Sequence, residues 1–143
     1  MNELIGKIEK NIELEEKTEK LINKLNSFMG RLSENKILKE VRKLEDLSDA
    51  LDYEIKSMID ELDDDEKNEV KDNLIERINL LQIKKDKLFL EVDDRVKVKE
   101  MQNIFGEMHR LEERENKYQQ YLNYLIHKDK VKRINFIADY DVE

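Results

Sequence analysis

Residues 37–62, ILKEVRKLEDLSDALDYEIKSMIDEL, decide the fold. Within them Ile37, Val41, Leu44, Ser48, Leu51, Ile55, Met58 and Leu62 follow one another at gaps of four and three residues in alternation. A strand repeats every second residue and an α-helix every 3.6, so this spacing lays one apolar stripe along a helix. Alternating fours and threes also mark an a/d heptad, the pattern with which one helix packs lengthwise against another. Ser48 is its one polar member.

The same reading extends both ways. Met101, Ile104, Met108, Leu111, Glu115, Tyr118, Leu122 and Leu125 repeat the alternation, with Glu115 as the polar exception. Leu74, Ile78, Leu81, Lys85, Leu88 and Val92 form a third run, interrupted by Lys85. A wider stripe precedes them all: Leu4, Ile8, Leu14, Leu21, Ile22, Leu25, Phe28, Met29 and Leu32. The four runs do not share one heptad phase, and the slips between them locate turns or stutters. One slip lies at residues 30–36, where Gly30 is placed to end a helix and Ser33 to cap the next. Another is the acidic knot Asp63-Asp64-Asp65-Glu66, whose Asp63 and Glu66 have capping-box spacing. The last lies at residues 92–95: either Asp93 or Asp94 caps a new helix, or one helix continues while its exposed face rotates.

These observations predict an all-α protein. A seam only two apolar residues wide per seven suits a two- or three-stranded coil, and neither outer slip carries a multi-residue Gly/Pro/Asn loop. The favoured architecture is therefore a long antiparallel helical hairpin, or coiled coil, folded near residues 63–66. Its arms of about 60 residues would each run about 90 Å. If both outer slips are turns instead, the arms collapse into a four-helix bundle with helices of roughly 40 Å. Residues 1–129 read as this helical body. Residues 130–143 read as a C-terminal docking tail, non-helical or strand-like, because β-branched and aromatic residues replace the Leu/Glu/Lys pattern in VKRINFIADY.

Composition excludes much else. The chain has 143 residues, one ordinary domain, with 43% charged and 38% hydrophobic side chains, 3 glycines and no proline, cysteine or tryptophan. Disulfides and thiolate metal sites are impossible without cysteine. So few turn-forming glycines argue against an all-β sandwich. The longest apolar runs are two or three residues, such as Leu88-Phe89-Leu90, where a membrane-spanning helix needs about 20. The opening MNELIGKIEKNIELEEK lacks the apolar core of a secretory signal. A cytoplasmic protein with no membrane partner is the expectation. Twenty lysines against seven arginines, with many Asn and Ile, suit an AT-rich genome such as that of a low-GC bacterium or its phage.

Catalytic groups are scarce. His109 and His127 have no second histidine three or four residues away, which rules out a helical zinc pair. The Glu-x-x-His pair of a di-iron bundle fails twice, because Gly106 and Tyr124 stand where the glutamates belong. His109 reads instead as an ion-pair partner of Glu112 or Glu113. No Gly-rich phosphate loop is available. No catalytic residue, metal or cofactor is expected, and the protein reads as a non-enzyme. The six carboxylates of residues 60–66 lack the glycine of a calcium-binding loop and read as a solvated helix start. Docking of a basic partner there is the sharper alternative.

Charge is shared unevenly. Residues 1–66 hold 11 basic and 19 acidic side chains, a balance of −8, and residues 67–143 hold 16 of each. The one basic cluster, Lys128, Lys130, Lys132 and Arg133, is too short for a nucleic-acid footprint, so no direct nucleic-acid binding is expected. Tyr118, Tyr121 and Tyr124 recur at every third residue. They form either a tyrosine-rich edge of the core or, tyrosine being frequent at interface hot spots, anchors for a partner. With Phe136, Ile137 and Tyr140 of the tail they make up the expected partner-binding set. The lone polar seam residues Ser48, Lys85 and Glu115 read either as groups facing solvent at a frayed seam or as devices that set register or partner choice. The resulting expectation is a non-catalytic protein–protein interaction subunit, an adaptor, assembly or chaperone-like partner. It would engage a protein, or a second copy of itself, through the helical seam. The alternative is a phage- or mobile-element-encoded inhibitor that blocks a host protein.

Overall fold

The structure, a computed structural model, describes residues 2–26, 34–92 and 96–142, and the side chains of residues 3–127 among them. Four helices account for most of these residues: α1 Asn2–Leu25, α2 Glu34–Asp60, α3 Asp64–Leu90 and α4 Val98–Val142. There is no strand among the described residues. The all-α reading from heptad spacing holds.

The chain divides into two compact units, Met1–Leu62 and Asp63–Glu143. In the first, α1 packs along α2; in the second, α3 packs along α4. Cross-contacts fix the direction of each pair. Lys7 meets Glu54 while Asn11 meets Ser48, so α1 and α2 are antiparallel. Arg77 lies over Tyr118 while Gln82 reaches Glu115, so α3 and α4 are antiparallel too. This corrects the expectation of two uninterrupted arms. The chain reverses at both outer slips, and each arm folds back on itself. A seam shared with the next helix closes a loop of a few residues, whereas one shared across the whole chain closes a far longer one. The candidate caps Gly30, Ser33, Asp93 and Asp94 lie outside the described residues.

The middle slip behaves as its spacing predicts. Asp63 is the N-cap of α3, extended at φ −77° and ψ 174°. Its carboxylate accepts from the Glu66 backbone N–H at 2.8 Å, and its own N–H donates to Glu66 Oε1 at 3.3 Å. Asp64, Asp65 and Glu66 fill the first turn, where the helix dipole favours negative charge.

Each unit builds its core from its heptad stripes. The first buries Leu4, Ile5, Ile8 and Ile12 of α1 with Ile37, Val41, Leu44, Ile55 and Ile59 of α2. The stripe passes from Ile55 to Ile59 rather than Met58, one residue of drift toward the 3.6-residue repeat of a straight helix. The second unit buries Val70, Leu74, Ile78 and Leu81 of α3 with Leu111, Tyr118, Tyr121, Leu122 and Leu125 of α4.

The C-terminal tail also needs correction. Residues expected to be non-helical or strand-like continue α4 without a break to Val142. β-branched residues cost a helix only a few tenths of a kcal/mol each, and extending an established helix is far easier than starting one. No glycine or proline follows Gly106 to stop it. Carrying the Arg77/Tyr118 register along the pair sets the start of α3 opposite about residue 132 of α4. The last ten or so residues of α4 therefore run past the end of α3.

Removing the cap tests how α3 starts. Asp63→Ala should cost about 1 kcal/mol in urea unfolding followed by circular dichroism. Asp64→Ala, which leaves the capping box intact, should cost no more than about 0.5 kcal/mol.

Candidate interaction surfaces

The polar residues that interrupt the seams are engaged inside their own units. Ser48 Oγ donates to Asn11 Oδ1 at 2.5 Å across the α1–α2 seam, and Asn11 is fully buried. Lys85 and Glu115, read separately as exceptions in two different runs, face each other: Lys85 Nζ lies 2.5 Å from Glu115 Oε2. Gln82 Nε2 donates to the other carboxylate oxygen at 2.9 Å. Both charged side chains are mostly buried, with 21% and 16% of their surface exposed. Asn11 was not singled out in the sequence, although Leu4, Ile8 and Asn11 follow the same four-then-three spacing.

The other ion pairs lie nearer the surface. Lys7 hydrogen-bonds Glu54 across the first unit, and that bond raises its ammonium above the ordinary 10.5 despite the opposing effect of desolvation. Arg110 donates through Nε at 3.1 Å and Nη2 at 2.5 Å to Glu107 one turn earlier. It holds the Glu107 carboxyl below its usual value of 4.5 against a smaller upward push from burial.

The expected partner-binding residues are distributed unequally. Tyr118 and Tyr121 are 5% and 2% exposed and belong to the core, the first under Arg77 and the second beside Lys117. That placement favours the core-edge alternative for these two tyrosines. Tyr124 is half-buried. Phe136, Ile137 and Tyr140 fall on the helical backbone of α4, with side chains outside the described residues.

His109 Nε2 lies 2.9 Å from Glu113 Oε1 on an exposed face, one of the two partners anticipated for it. Beside Ser48, the first unit has an open groove of about 320 Å³ lined by Glu15, Thr18, Glu19, Ile22, Glu45, Ser48 and Asp49. Four carboxylates give it a negative rim.

Other exposed apolar side chains lie toward one end of the second unit. Phe89 (60% exposed), Val98 (71%) and Phe105 (48%) stand at the end of the second unit where α3 stops and α4 begins. Met101 and Ile104 are half-buried between them in sequence. These residues escaped sequence reasoning because Phe89 and Phe105 lie off the heptad stripe, where no periodicity marks them. No helix of the described residues is long and apolar enough to cross a membrane.

Comparison with protein-family models, curated proteins and solved structures finds no match for this chain.

Two substitution series test the polar layers. Ser48→Ala should destabilise the first unit by about 1–2 kcal/mol, because buried Asn11 loses an intramolecular donor. Asn11→Leu combined with Ser48→Ala, which makes the layer apolar, should recover most of that loss in urea denaturation. Lys85→Glu should destabilise the second unit by setting two carboxylates together. Adding Glu115→Lys should restore the pair, with a coupling of at least about 1 kcal/mol in the double-mutant cycle.

Proposed function

We propose that the protein is a non-catalytic interaction subunit, an adaptor or assembly partner that holds a larger protein on the helical surface of its second unit. One observation carries this reading: Phe89, Val98 and Phe105 stand exposed at one end of the α3–α4 pair. Large apolar side chains left exposed near one end of a helix pair are what a docking surface for another protein presents. The Lys85–Glu115 pair and the buried Leu81 and Leu111 lie close by along the same helices. Buried Tyr118 and Tyr121 then act as scaffold, while Tyr124 and the far end of α4 supply further contact. The non-enzymatic part of the reading rests on the sequence, which offers neither a helical histidine pair nor a Gly-rich phosphate loop.

Capture of the partner by the full chain, followed by cross-linking, provides the test. Contacts should map to residues 89–105. Phe89→Ser with Phe105→Ser should weaken binding by roughly 30-fold or more while helicity by circular dichroism stays unchanged. Undiminished capture by that double variant would place the surface elsewhere and end this reading. Measuring the captured protein's own activity separates the two modes of action: an inhibitor suppresses it and an adaptor leaves it intact.

A further inference from the structure

We draw no further inference here: the strongest candidate, the open groove between α1 and α2 beside Ser48 with Glu15, Glu19, Glu45 and Asp49 on its rim, is a cluster of carboxylates with no second observation in the structure to show what would occupy it.

Discussion

Two polar layers set the alignment of this protein's helices. Apolar heptad seams are indifferent to sliding, because a shift of seven residues replaces one leucine with another. Asn11 against Ser48, and Lys85 against Glu115, remove that freedom. One heptad of slip in the first unit would set Asn11 against Val41 or Ile55, and in the second unit Lys85 against Met108 or Leu122. Either way a polar group would be enclosed without its partner, at a cost of several times RT. The seam supplies adhesion and the two layers supply alignment. Lys7 with Glu54 repeats the alignment of the first unit closer to its surface.

Alignment in turn organises the surfaces. With α3 and α4 held in one register, the end of one helix lies beside the start of the next, and Phe89 and Phe105 are each exposed there. The same register turns Leu80, Ile83 and Leu90 away from the core. An acidic groove beside Ser48 and an apolar end on the other unit make the two units chemically unlike. The sequence anticipates that contrast in the acidic excess of its first 66 residues.

Periodicity made the helices, their buried stripes and the Asp63–Glu66 capping box legible before any coordinates, because each follows from spacing within one element. Ser48, Lys85 and Glu115 stood out as polar members of apolar stripes for the same reason. What spacing cannot carry is pairing between elements. Lys85 and Glu115 belong to different runs, and only the antiparallel fold brings them together. Their partnership, like the reversal at the two outer slips, depends on loop closure rather than on any local pattern. The tyrosines show a second limit: a three-residue recurrence places them near one side of a helix without saying whether that side is covered. The tail shows a third, since β-branched composition argued for a strand while an uninterrupted helix upstream decided otherwise.

The unequal lengths of α3 and α4 have a structural result. A stretch of about ten residues gains little helicity from propensity alone, so the end of α4 is continued from the part of the helix that pairs with α3. The Asp63 cap stands near the level at which that continuation begins. Fraying of the first turn of α3 would move the last α3–α4 contact toward Leu125. The two hydrogen bonds of the cap thus set where along α4 its pairing with α3 ends.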